Sequence, residues 1–260
     1  MALKATTKKK IVEEILRVVD KVIEKRTVDE PFSIKEIEKE RPFHAALLPE
    51  EILKGSKFER SFVTSLGQSA WEEIARIIIE EELGYCKRGQ RIEGEIFLEQ
   101  LKVIQRILDE LEHGKRKPNW DKEIEEVDKA AYGEKKKIAV VVDVCGESKQ
   151  LKRYCELKSS KPNSDQSKVS KEKLLKLRAM KKGENYEAFF ALPDNPYGTK
   201  EAYNWPHPKR WFEMDKSPVI IGKDFWDHIG GEGTYEELIK LFKQAGKITK
   251  PKIRKEYLGL

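Results

Sequence analysis

The chain has 260 residues, long enough for one large domain or two small ones, and 38% of it is charged. Lys and Arg number 52 against 46 Asp and Glu, a net charge of +6 that permits an anionic partner without demonstrating one. No apolar run is long enough to span a bilayer, and the basic start MALKATTKKK lacks a small-residue cleavage site, so a cytoplasmic protein without membrane association is expected. Cys86, Cys145 and Cys155 lack metal-ligand spacing and read as reduced thiols, and the four histidines form no cluster in sequence.

In chain order, Ile11, Ile15, Val18, Val19, Val22 and Ile23 recur at helical spacing. Ser33 to Glu36 fits a capping box that opens a short helix before Pro42. A longer helical region covers Lys57 to Leu83 with a break near Gly67, and a further helix carries Phe97, Leu101, Ile104, Leu108 and Leu111 and stops at Gly114. Residues 115–137 read as a polar connector and the best internal boundary, dividing a helical region, 1–114, from a core, 115–260. A strand pair follows over 138–158, then a helix over Asp165–Met180 and strands at 186–192 and 219–221. Gly230, Gly231 and Gly233 form a tight turn rather than a phosphate loop, because no Gly-Lys-Ser/Thr follows them. Thr234 to Glu237 reads as a second capping box opening the last helix. The sum is an α/β arrangement around a mixed sheet, with a helical N-terminal half.

The chemistry concentrates in residues 138–161, IAVVVDVCGESKQLKRYCELKSSK. One apolar run delivers Asp143, and a second delivers Glu156 and Lys158 two positions apart, hence on one face of a strand. Two carboxylates suit a hard divalent cation, and an ammonium beside them suits an attacking water and a phosphate. Glu-x-Lys also occurs at Glu134 and Glu147, but without an acid-bearing strand just upstream. An exposed hairpin with surface charges is the other reading of the same pattern. Register separates the two. Asp143 faces Glu156 only if the turn centres on Lys149–Gln150, which leaves Gly146 inside the strand as a bend or bulge. A turn at Gly146–Ser148 would hold the acids about 15 Å apart.

Four stretches together, PFHAALLPEEIL with KFERSFVTSLGQSAWEEIA (42–75), ELKSSKPNSDQSK (156–168), AFFALPDNPYG (188–198) and VIIGKDFWDHIGGEGTYEEL (219–238), resemble one family. It is the type II restriction endonucleases of the TdeIII type, within the PD-(D/E)XK nuclease superfamily. Val142 rather than proline precedes Asp143. The resemblance implies a PD-(D/E)XK core with a mixed central sheet flanked by helices. It implies Mg²⁺-dependent cleavage of double-stranded DNA at a short palindrome, of a GGNCC-like kind, by a homodimer paired in the cell with a cognate DNA methyltransferase. It further implies that Asp143 and Glu156 ligate the metal and that Lys158 serves the water. A less specific repair or recombination nuclease of the same fold and an inactive DNA-binding protein are the alternatives.

Other residues carry two readings each. Glu72, bordering an apolar helix face, is a further acid of the site or a surface carboxylate. Gln166 is a phosphate or metal-water ligand or a helix-start residue, and Lys161 and Asn163 are candidates for the DNA backbone. The segment 197–212 interleaves Lys200, Asn204, Lys209 and Arg210 with aromatics, which suits DNA contact, Arg210 reading a base; the alternative is a loop pinned by its own rings. Arg178 and the basic cluster 115–117 are candidates for positioning the DNA backbone.

Overall fold

The computed structural model describes residues 3–260. Two compact units divide them, residues 3–74 with 236–260 and residues 75–235, with boundaries elsewhere than the 114/115 junction. Among the described residues no helix is long and apolar enough to cross a membrane.

The first unit is helical. Helix α1 (Ala5–Glu24) buries all six residues of its apolar stripe. In α2 (Ile34–Glu40) the Ser33 side chain accepts the Glu36 amide at 3.4 Å, as its capping pattern requires. Helices α3 (Pro42–Leu47) and α4 (Glu50–Ser65) follow. Gly67 does not break the next helix. It lies in a π-helical turn, Leu66–Ala70, that runs straight into α5 (Trp71–Leu83). One glycine costs a helix only about 1 kcal/mol, and the burial of Ala70, Ile74 and Ala75 just beyond it offsets that.

The second unit is built on a sheet. The first half of the chain is not wholly helical, because α5 is followed by a 13-residue strand, β1 (Tyr85–Phe97). It occupies one edge of the sheet, so its apolar alternation is thinned to a few positions such as Ile92 and Ile96. Helix α6 (Leu98–Glu112) buries Ile104, Ile107, Leu108 and Leu111 and gives way at Gly114, whose φ of 67° suits glycine. The expected connector holds a helix, α7 (Trp120–Lys129), capped by Asn119 and packed through Ile124 and Val127. It reads as linker because its inner face carries a buried charge, Glu123, as well as apolar residues.

Strands β2 (Lys135–Glu147) and β3 (Lys152–Leu157) then pair antiparallel, with Val144 opposite Cys155 and Cys145 opposite Tyr154. The turn falls at Lys149–Gln150, closed by the Ser148 amide on the Leu151 carbonyl at 2.9 Å. Helix α8 (Ser164–Met180), strand β4 (Tyr186–Leu192), the short α9 (Pro206–Lys209), strand β5 (Val219–Ile221), helix α10 (Lys223–Gly230) and α11 (Thr234–Ile253) complete the chain. The strand order is β1-β2-β3-β4-β5, antiparallel over the first three and parallel over β3, β4 and β5. This is a mixed central sheet flanked by helices, a restriction-endonuclease-like α/β fold.

Two local expectations are corrected. Gly146 is neither bend nor bulge, since its pairing with Arg153 and Cys86 continues the ladder on both sides. Glycine is required there because α5 lies against it: a Cβ would overlap Ile79 and lie 3.0 Å from Leu83 Cδ1. Gly146→Ala should lower stability by about 1–3 kcal/mol, read from urea unfolding; an unchanged midpoint would show that α5 shifts freely. Thr234 forms no capping box. Its hydroxyl donates to the Gly231 carbonyl at 2.7 Å, and Asp227 accepts the Tyr235 amide at 2.9 Å in its place.

Candidate active site

The hairpin ladder ends with Val144 opposite Cys155, and the next residue on each strand, Asp143 and Glu156, carries an acid close to the end of β3. Residues opposite each other on antiparallel strands share a face, and the side chains meet there through Lys158. Its Nζ lies 2.6 Å from Asp143 Oδ2, 3.5 Å from Glu156 Oε2 and 2.9 Å from the Leu157 carbonyl. Asp143 Oδ2 is also fixed by the Leu157 amide at 2.8 Å. The backbone of Lys158 is held in turn, its amide donating to Ala191 on β4 at 3.0 Å. An ammonium thus sits among three oxygens from two carboxylates and a peptide, a donor set suited to a hard divalent cation. Among the described residues no group of three His, Cys, Asp or Glu side chains stands ready for a metal. Beyond the two acids, the other positions around such an ion would fall to peptide oxygen, water or phosphate.

Burial raises the Glu156 carboxyl to about 7, Asp143 adding to the effect while Lys158 and Lys173 oppose it. Burial alone would lower the Lys158 ammonium, but Asp143 and then Glu156 carry it above its usual value. The Glu156 shift has a sign. The folded chain holds this proton more tightly than the unfolded chain, so the resulting stability is complete below the ordinary value of 4.5 and is lost as pH rises through about 7. In chelator, wild type should therefore lose on the order of 3 kcal/mol relative to Glu156→Gln between about pH 4 and pH 8. Parallel pH profiles of unfolding would overturn this.

Lys173 was not singled out by the sequence. From α8 it places Nζ 2.9 Å from both oxygens of Glu156. Its only trace is its position in the buried stripe of that helix, three residues after Ser170 and four before Leu177.

The remaining candidates are spread more widely. Asn163 and Gln166 cap α8 reciprocally: Asn163 Oδ1 accepts the Gln166 amide at 2.8 Å, and Gln166 Oε1 accepts the Asn163 amide at 3.1 Å. Glu72 stands in the first turn of α5, within the other unit. Lys161 lies over the rings of Tyr197 and Trp205, at 6.0 and 5.4 Å. Lys200 donates to the Val219 carbonyl at 2.6 Å, a bond that ties its loop to β5. Asn204 and Lys209 are exposed and bonded to each other at 2.7 Å, and Arg210 is exposed. Arg178 pairs with Asp128, and Arg116 with Glu110 and Glu126, so these two arginines are engaged in the fold.

The aromatic segment is both pinned loop and neighbour of the site. Tyr203 Oη donates to the Ser160 carbonyl at 2.8 Å, Trp205 Nε1 to the Pro162 carbonyl at 2.8 Å, and Trp211 Nε1 to Ser164 Oγ at 3.1 Å. These three bonds clamp the stretch that leaves Lys158 and enters α8.

A mixed sheet flanked by helices, whose antiparallel strands bring two acids and a lysine to one point, is of the restriction-endonuclease-like class. The chain belongs to the HinfI family of type II restriction endonucleases, whose family model matches residues 7–246. It is similar to the type II restriction enzymes HgiCII and HgiEI of Herpetosiphon aurantiacus. Each is 28% identical over 225 residues, which is 84% of this chain and 82% and 81% of the two relatives. It is also similar to the type II restriction enzyme MjaII of Methanocaldococcus jannaschii, 25% identical over 217 residues, 78% of this chain and 57% of the relative. No solved structure matches the chain. The protein is a type II restriction endonuclease; the finer TdeIII attribution rests on the four sequence stretches alone.

Proposed function

We propose that the chain hydrolyses double-stranded DNA at a short palindrome, of a GGNCC-like kind, with Mg²⁺ held by Asp143 and Glu156. The observation that supports this most is the Lys158 ammonium, in contact with both carboxylates and the Leu157 carbonyl at the end of β3. Held by these two carboxylates, the metal would lower the pKa of an attacking water and neutralise charge developing on the phosphate. Lys158 orients that water and donates to the phosphate oxygens. The Leu157 amide keeps the Asp143 carboxylate turned towards the lysine. One such set per chain and two strands in a palindrome imply a two-fold homodimer, with the N-terminal helices as its interface. A host bearing the site needs a cognate methyltransferase, and the cytoplasm is where both would act.

Exposed Arg210, beside Lys209 and Asn204, is the proposed base-reading residue. Arg210→Ala should weaken cutting or relax base choice at one position by about 1–3 kcal/mol, measured on a panel of single-base variants of the site. Unchanged preference removes Arg210 from recognition. The reading as a whole is tested by incubating the protein with unmethylated phage DNA, in Mg²⁺ and in chelator, and sequencing the fragment ends. Discrete Mg²⁺-dependent fragments sharing one palindrome are expected. A metal-dependent smear would replace the reading with a less specific nuclease, and intact but retarded DNA with a binding protein.

A further inference from the structure

Each oxygen of the Glu156 carboxylate is held by an ammonium. Lys173 Nζ lies 2.9 Å from Oε1 and from Oε2, and Lys158 Nζ lies 3.5 Å from Oε2. The two lysines differ in what they span. Lys158 bridges Asp143, Glu156 and the Leu157 carbonyl, whereas among the described residues the bonds of Lys173 go to Glu156. They differ also in origin, since Lys158 follows the strand that carries Glu156 and Lys173 reaches across from α8. The Glu156 side chain is fully buried, while that of Lys173 keeps 24% of its surface exposed. The carboxylate therefore has no approach to solvent of its own, but the ammonium that holds it can withdraw.

A divalent cation entering between the acids needs an oxygen of Glu156, and a positive charge already seated on both oxygens opposes it. We infer that Lys173 is a positioning residue of this site: it holds the Glu156 carboxylate in place while the metal is absent and competes with the incoming divalent cation for it. The inference rests on the metal-binding reading of Asp143 and Glu156. It extends that reading by making cation affinity a property of α8 as well as of the hairpin.

The test is isothermal titration of the full chain with Ca²⁺, without DNA, at pH 8. Wild type is compared with Asp143→Asn, Lys173→Met and Lys173→Arg, each checked for folding by circular dichroism. Lys173→Met should bind Ca²⁺ at least about fivefold more tightly than wild type, and Lys173→Arg, which keeps the charge, should match wild type. If the Met variant does not fold, Lys173→Gln keeps a hydrogen bond to Glu156 without the charge, and the same tightening is expected of it. Asp143→Asn should lose binding. Wild-type affinity in Asp143→Asn would overturn the metal site itself, and this inference with it. Loss in Asp143→Asn together with unchanged or weaker binding in the neutral Lys173 variants would overturn the role of Lys173 alone.

Discussion

Cleavage by Asp143→Asn falls by at least about 1,000-fold, equivalent to about 4 kcal/mol of barrier, while the protein stays folded. An asparagine at this position still offers an oxygen to the Leu157 amide, which Asp143 now accepts at 2.8 Å, so the local backbone keeps its bond. What disappears is one of the two negative charges opposed to Lys158 and available to a cation. Lys158→Ala should fall as far by the opposite route, leaving the carboxylates together without the ammonium between them. Single-turnover cleavage under saturating Mg²⁺, with melting curves alongside, measures both. Wild-type cutting by Asp143→Asn would move the chemistry away from this hairpin altogether.

The largest stability effect is expected from a charge pair away from the acids. Lys171 on α8 and Glu123 on α7 form an ion pair, and neither side chain reaches solvent. The lysine lies 4.9 Å from the ring centroids of both Trp120 and Phe212. Burial lowers the Lys171 pKa, and Glu123 opposes that shift. Glu123 Oε1 also accepts the Asn119 amide at 3.1 Å, while Oε2 and Lys171 Nζ meet as charges without a well-aligned hydrogen bond. Such a pair adds little net stability, but removing one member strands the other charge in the core. Lys171→Met should therefore cost about 3–5 kcal/mol in chemical denaturation. Lys171→Met with Glu123→Gln should recover most of it, because the charge is gone and the Asn119 bond survives. If the single variant unfolds at the wild-type midpoint, the pair is not buried in solution.

The same pair shows why α7 was illegible. A helix is recognised by an apolar stripe, and here the inner stripe includes a glutamate whose partner is 48 positions away in sequence. The polar look of 115–137 was correct for composition and misleading for structure. β1 was hidden by its place in the sheet, since an edge strand needs few apolar residues to hold its position. Strands β4, apolar from Ala188 to Leu192, and β5, a short buried apolar run, belong to the parallel part and could be read to the residue. The turn at Lys149–Gln150 was legible for a different reason: the chemistry of Asp143 and Glu156 demanded one register, and only one turn supplies it. Lys173 had no comparable signal, because its importance comes from the packing of α8 on the sheet, which no spacing in the chain reveals.

The three bonds from Tyr203, Trp205 and Trp211 to residues 160–164 have a consequence for how such an enzyme changes its target. The aromatic segment and the stretch after Lys158 are one mechanical piece, so an exchange of residues 197–212 between relatives would also release the backbone that seats the lysine. With Asn204, Lys209 and Arg210 contacting DNA as proposed, single substitutions at these exposed positions would change specificity without disturbing that piece. Wholesale transplantation would have to carry residues 159–164 along with it.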